Sequence, residues 1–170
     1  VVSATGTPTP AREVASSVTV ITAERIQREQ RRTLPQALAA VPGLNIVQIG
    51  GPGGQTSVFM RGTNSNHVKV LIDGIEANDP STPNRSFDFG SMLTDDVERI
   101  EVLRGPQSGL YGANAIGGVI SIVTRRGEGP PKATARVEAG SHGTFNQSAG
   151  FGGGDDRFNY AFNVAHMRSD

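Results

Sequence analysis

The sequence predicts an α+β fold: a small mixed β-sheet carrying short helices, then a run of antiparallel strands of a different character. Three stretches carry this reading. Val97 to Thr124 holds two strand patterns joined by a crossover punctuated by Gly105, Pro106, Gly109, Gly112, Gly117 and Gly118. In its first part Ile100 and Val102 lie on one side with Glu98 and Glu101 among the polar neighbours, the period-two pattern of a half-buried strand. Its last part, Val119-Ile120-Ser121-Ile122-Val123, is nearly all β-branched, as in a strand covered on both faces. Second, Leu34, Leu38 and Val41 form one apolar stripe at helical spacing. Third, residues 132–170 alternate apolar and polar through three successive runs.

Residues 1–16 (VVSATGTPTPAREVAS) are small, polar and proline-bearing, and predict an extended arm. Val18-Thr19-Val20-Ile21 reads as a strand, after which Thr22 caps a helix from about Ala23 to Gln30. Thr33 opens a second helix, because Gln36 completes a capping box and Pro35 sits in the permissive first turn. Pro42-Gly43 ends it. Leu44–Ile49 is a strand, followed by the flexible loop Gly50-Gly51-Pro52-Gly53-Gly54-Gln55. Ser57–Arg61 and Val68–Ile72 are strands, and Asp73-Gly74 is a tight-turn signal. Residues 76–91 (EANDPSTPNRSFDFGS) carry no period, and a loop this long in a compact domain is a surface excursion or a functional element.

After a linker at 127–131 the pattern changes. Ala133, Ala135, Val137 and Ala139 alternate with Lys132, Thr134, Arg136 and Glu138. Phe145, Ala149 and Phe151, and then Phe158, Tyr160, Phe162 and Val164, alternate with polar residues or glycine, and Gly153-Gly154-Asp155-Asp156 supplies a turn. Strands of roughly ten residues, apolar on one face and polar on the other, match a transmembrane β-barrel. The same pattern also fits a one-faced soluble sheet. Since barrels need about eight strands or more, these would only open one.

Totals exclude several classes. Sixteen basic and sixteen acidic residues cancel over 170 positions, so no overall field points to nucleic acid. The arginines at 25, 28, 31 and 32 read as a solvated helix face with Glu24 and Glu29, and no aromatic residue interleaves them for base stacking. No cysteine is present, which excludes disulfides and thiolate metal sites. No stretch approaches the ~20 apolar residues of a membrane helix, and Val1 reads as the inside of a processed or trimmed mature chain. His67, His142 and His166 share no ligand spacing. Aspartates 73, 79, 88, 95 and 96 lack calcium-loop spacing, and the loop at 50–55 lacks the lysine and hydroxyl of a phosphate loop. Ser108 lies in G-P-Q-S-G, not in a nucleophile elbow. The residues point to no enzyme, no metal site and no cofactor.

Three ordered stretches, LPQALAAVPGLNI at 34–46, VFMRGTNSNHVKVLIDG at 58–74 and RGPQSGLYGANAIGGVISIVT at 104–124, resemble the plug domain of TonB-dependent outer-membrane transporters. RGTNSNHVKVLIDG is similar to the vitamin B12 (cobalamin) branch. The resemblance implies an arm at 1–16, a plug domain at 17–126, a linker at 127–131 and the first strands of an incomplete transmembrane β-barrel at 132–170. It further implies that Val1, Val2, Ser3 and Ala4 are the tail of a Ton box, captured in the periplasm by TonB as an added strand. TonB works there with its inner-membrane energising complex. Ligand-contacting loops are implied at Gly51, Gly53, Gly54, Gln55 and Thr56, and at Asn78, Asp79, Asn84, Arg85, Phe87 and Asp88. The echo between VFMRGTNSN and EVLRGPQSG places Arg61 and Arg104 at strand ends, where the family's plug arginines meet barrel glutamates and lock plug to wall. The implied function is import of a scarce metal-containing nutrient by a monomer in a bacterial outer membrane. Cobalamin is favoured, with a ferric siderophore or haem as the alternative. A soluble or secreted binding module, or a receptor used chiefly for signalling, are the competing classes.

Overall fold

The computed structural model describes residues 17–168 apart from 52, 142 and 156, in two compact units that part between Thr124 and Arg125. The expected arm, with Val1, Val2, Ser3 and Ala4, lies outside the described residues.

The first unit runs β1 (Ser17–Thr22), α1 (Ala23–Arg28), α2 (Leu34–Leu38), β2 (Leu44–Gln48), β3 (Thr56–Met60), β4 (Val68–Ile72), β5 (Ile75–Glu76), β6 (Val97–Arg104), α3 (Ser108–Tyr111) and β7 (Gly118–Thr124). Five strands form a mixed sheet in the order β1-β6-β7-β4-β5, in which only β4 and β7 pair parallel. β2 and β3 form a separate antiparallel sheet, so the expected mixed sheet is joined by a two-stranded ribbon. Register explains which side chains meet. Thr19, Val102, Ile120 and Val70 stand in one row, and Ile21, Ile100, Ile122 and Ile72 in the next. Against this face pack Ile26, Leu34, Ala37, Leu38 and Val41 from the helical segment, Val58 and Met60 from β3, and Phe89. Apart from Ala37, each of these buried side chains contributes about 1.5–3 kcal/mol. The opposite face gathers Leu71, Leu103 and Val119 under Ala115, with Val18, Val20 and Tyr111 beside them.

The caps form where the sequence puts them. Thr22 Oγ1 accepts from Arg25 N at 3.4 Å, and Gln36 Oε1 accepts from Thr33 N at 3.3 Å and Arg32 N at 2.9 Å. Both helices are shorter than expected, yet Val41 still reaches the core through the turn that follows α2. Asp73 (φ 50°) and Gly74 (φ 84°) make the tight turn with both residues left-handed, as a primed turn requires. One expectation is corrected. β6 is not half-buried: Ile100, Glu101, Val102 and Leu103 are all buried, because the crossover at 105–117 covers the face that alternation assigned to solvent. Glu101 is fully buried, and Arg99 Nε lies 2.8 Å from its carboxylate.

The second unit is one open antiparallel sheet, in the order β10-β9-β8, of β8 (Lys132–Ala139), β9 (Phe145–Gly154) and β10 (Asn159–Arg168). Ala133, Phe151 and Phe162 share a row, as do Ala135, Ala149 and Val164, so the phenylalanines and valines of the three strands occupy one face. Thr134, Gly150 and Asn163 mark the other. Phe162 is 69% exposed and Phe151 50%, large apolar side chains that a soluble one-faced sheet would cover. β9 continues through Gly154, so the turn begins later than expected, where Asp155 Oδ1 accepts from Arg157 N and Phe158 N at 2.9 Å each.

Candidate functional site

The two loops expected to meet a ligand are fastened to each other. In the first, Ile49 N donates to Gln55 O at 2.9 Å, Gly54 N to Gly51 O at 2.9 Å, and Gln48 Nε2 to Gly51 O at 2.8 Å. In the second, Phe89 sinks into the core and Phe87 meets it edge-on, ring centroids 4.7 Å apart. That anchor brings Asp88 to the ribbon. Its Oδ1 accepts from Thr56 N at 2.8 Å and from Gly90 N at 2.9 Å, while Phe89 N donates to Thr56 O at 3.0 Å. The approach is so close that a Cβ on Gly90 would stand 2.1 Å from Gly54 O, and one on Gly54 2.1 Å from Ile49 O. Only glycine fits at either place.

The structure sorts the expected ligand residues into outward and inward sets. Gly51, Gly53, Gln55, Asn84 and Arg85 are exposed, and Gly54 is half-buried. Thr56 is buried, its hydroxyl donating to Gly54 O at 2.9 Å. Asn78 is buried as well: its Oδ1 accepts from Val70 N at 2.8 Å, and its Nδ2 donates to Val68 O and Arg85 O at 3.1 Å each. Both side chains brace the loops from within. Asp79 Oδ1 accepts from Ser81 N at 2.8 Å and Ser81 Oγ at 2.6 Å. The Ser81 hydroxyl, then its amide, hold that carboxyl below its ordinary range. Sequence reasoning found the loops but not their bracing, which depends on partners far along the chain.

Arg61 and Arg104 converge. Arg104 ends β6, whereas Arg61 lies one residue past β3 in the left-handed region at φ 49°. Around Gly43 they come together: a Cβ there would lie 3.7 Å from Arg104 Cδ and 3.9 Å from Arg61 Cγ. Arg104 Nη1 donates to Pro42 O at 2.7 Å and Nη2 to Thr19 Oγ1 at 2.8 Å, which leaves a buried Nε without a partner. Arg61 is exposed beside a cavity of about 390 Å³ lined by Leu44, Asn45, Phe59, Thr63 and Asn64. Among the described residues, neither guanidinium meets a carboxylate. Ser17 pairs with Arg104, so the chain enters β1 at this same end of the sheet.

Among the described residues no group of histidine, aspartate or glutamate could hold a metal ion, and no helix is long and apolar enough to cross a membrane. Residues 10–119 match the family model of the TonB-dependent receptor plug domain. The chain is 39% identical, over 132 residues, to the vitamin B12 transporter BtuB of Vibrio vulnificus (strain CMCP6), covering 78% of this chain and 21% of that protein. Among solved structures it resembles the siderophore receptor PiuA of Acinetobacter baumannii (TM-score 0.76, 25% identity, 95% of this chain and 22% of that one). It also resembles the ferripyoverdine receptor of the Pseudomonas aeruginosa outer membrane (TM-score 0.78, 18% identity, 97% and 22%), where the likeness is one of fold. The chain thus spans about a fifth of the length of these relatives.

Proposed function

We propose, because the chain belongs to the family of TonB-dependent receptor plug domains, that it is the plug and opening barrel strands of an active transporter importing a scarce metal-containing nutrient. The plug sits in the lumen of its own barrel in a bacterial outer membrane, as a monomer, with the arm at 1–16 facing the periplasm. Ligand lands on the loops at 50–56 and 76–90 and biases Val1, Val2, Ser3 and Ala4 toward capture by TonB. TonB and its inner-membrane complex then supply the work, since a porous outer membrane holds no useful gradient of its own. The observation that carries this reading is the fastening of the two loops through Asp88 and Thr56, which lets one bound molecule touch both at once.

Cobalamin is the favoured ligand, on the strength of the 39% identity to a vitamin B12 transporter. A ferric siderophore is the second reading, supported by likeness to receptors such as PiuA, with haem behind it. Titrating the full-length receptor with cyanocobalamin and a panel of ferric chelates decides between them, and absence of cobalamin binding removes the first choice. Arg61 and Arg104 are assigned a locking role against carboxylates of the barrel wall, supported by two converging guanidiniums without an acid among the described residues. Arginine suits this because its fork pairs carboxylates in two-point fashion. Replacing both by alanine in the full-length protein raises leak conductance through the pore. Unchanged conductance and unchanged plug hydrogen exchange remove the lock.

A further inference from the structure

We propose that Arg85 is the residue by which the ligand-facing loops grip an anionic oxygen group on the imported molecule, such as a phosphodiester or the phenolate or carboxylate of a metal chelate. The inference rests on the reading above, that these loops meet the ligand. Composition alone points the other way. The stretches 49–56 and 76–91 contain three acids, Glu76, Asp79 and Asp88, and one base, Arg85, a formal charge of 1 − 3 = −2 that would suit a cation.

The three acids, however, are already engaged by partners of the unit. Glu76 pairs with Lys69. Asp79 accepts from the amide and hydroxyl of Ser81, and Asp88 accepts from the amides of Thr56 and Gly90. Each acid thus has a partner inside the unit, a cation for Glu76 and neutral donors for Asp79 and for the exposed Asp88. Arg85 is exposed, and its guanidinium has no hydrogen bond or ion pair among the described residues. Arg85 is therefore the charged side chain of these loops that keeps its hydrogen-bonding groups unengaged among the described residues and open to an incoming molecule.

The backbone beneath Arg85 supports the assignment. Arg85 sits in the left-handed region at φ 47°, fixed on both sides: its N–H donates to Thr82 O at 3.0 Å, and its carbonyl accepts from the buried Asn78 side chain at 3.1 Å. Glycine or asparagine would hold this conformation with less strain, so the turn does not explain an arginine. What an arginine adds is a long, permanently charged fork on a fixed post. Asp88, three residues on and itself bonded to Thr56 N, keeps that post within about 11 Å of the residue tied to the first loop. There Ile49 is 67% exposed and no residue from 49 to 56 is charged. The complementary ligand has an apolar face for Ile49 and an anionic oxygen for Arg85.

The test uses the purified full-length receptor and four probes. Cyanocobalamin carries a phosphodiester, dicyanocobinamide shares its corrin ring but lacks that group, a ferric tricatecholate is anionic, and ferrioxamine B is cationic. For whichever probe bearing an anionic oxygen group the wild type binds, cyanocobalamin or the ferric tricatecholate, Arg85→Gln weakens affinity about tenfold, the worth of one charge-assisted contact. It also flattens the dependence of affinity on salt. Arg85→Lys keeps part of both effects, and dicyanocobinamide and ferrioxamine B are indifferent to either change. Hydrogen exchange at Thr56 and Phe89 stays as in the wild type, showing that the loops remain tied. Equal affinity and equal salt dependence for wild type and Arg85→Gln overturn the proposal, and so does a wild type that takes only dicyanocobinamide or ferrioxamine B. A wild type that binds none of the four removes the receptor reading itself, and the role of Arg85 with it.

Discussion

Removing the Asp88 carboxylate should release the two loops from one another while leaving the sheet intact. Thr56 is fully buried, and its N–H has Asp88 Oδ1 as acceptor at 2.8 Å; the same oxygen serves Gly90 N at 2.9 Å. Asp88→Ala strands a buried donor, which costs about 1–3 kcal/mol, and loses a second bond to a charged acceptor besides. We expect local opening of the loop pair to become easier by about 2–3 kcal/mol. Asp88→Asn keeps a carbonyl oxygen in the same place and gives up only the charge, a cost of about 1 kcal/mol. Amide exchange through local opening scales with these energies, so exchange at Thr56, Phe89 and Gly90 should rise roughly 30- to 150-fold in the alanine variant and about fivefold in the asparagine variant. The assay is hydrogen exchange on the full-length receptor in lipid, with Ile120 and Ile122 of β7 as internal references. Equal effects from alanine and asparagine would refute the argument from the stranded donor, since the retained amide oxygen would then hold nothing. Acceleration of β7 to the same degree would show that Asp88 holds the fold rather than the loops.

Other substitutions separate the remaining links. Gly90→Ala drives a Cβ to 2.1 Å from the Gly54 carbonyl; it should accelerate exchange at Thr56 at least as much as Asp88→Ala and weaken ligand binding, whereas Gly51→Ala, with open space around it, should do far less. Thr19→Val removes the hydroxyl that Arg104 Nη2 reaches at 2.8 Å and should speed exchange across β1 without changing β4. The Asp79 carboxyl is held below its ordinary value of 3.8 chiefly by the Ser81 hydroxyl. A depressed carboxylate contributes above its unfolded pKa and loses that contribution as pH falls through the folded one. The turn at 79–82 should therefore loosen below about pH 3.8, seen as a rise in Ser81 exchange over its intrinsic rate, and Asp79→Asn should abolish that pH dependence.

What was legible in the sequence was what is local. The hydroxyl of Thr22, the amide of Gln36 and the pair Asp73-Gly74 act on residues within a turn of themselves, and each sits where its chemistry predicts. The alternation over 132–168 was legible for the same reason, because strand geometry alone sends Phe151 and Phe162 to one face. Glu101 was misjudged because period two reports a strand's own geometry and says nothing of a second layer folding over it. Asn78 and Thr56 could not be told from Gln55 by composition, because bracing and contacting a ligand ask for the same polar side chains. The decisive bonds span the chain. Asp88 to Thr56 bridges 32 residues, Asp73 to Thr124 bridges 51, and Arg104 to Thr19 bridges 85.

The net charge of zero conceals a separation that bears on what the first unit can meet. Its acids at the ligand loops are engaged by backbone amides, the Ser81 hydroxyl and Lys69, where they set loop shape. Asp73 does the same at the end of β7, accepting from Thr124 N at 2.9 Å and Thr124 Oγ1 at 2.6 Å. The guanidiniums of Arg61 and Arg85 have no such partners among the described residues, and the buried Nε of Arg104 has none either. Surface arginines of this kind add little to stability, and two of the three stand at left-handed positions, Arg61 at φ 49° and Arg85 at φ 47°. A residue that strains the backbone and returns little to the fold is best explained by something outside it. On the function proposed above, the complement at the end where the chain enters β1 would be a carboxylate on an enclosing wall, and at the loop end an anion carried by the ligand. The two ends are thus separable by experiment: charge reversal at Arg61 acts on leak, and charge reversal at Arg85 acts on affinity.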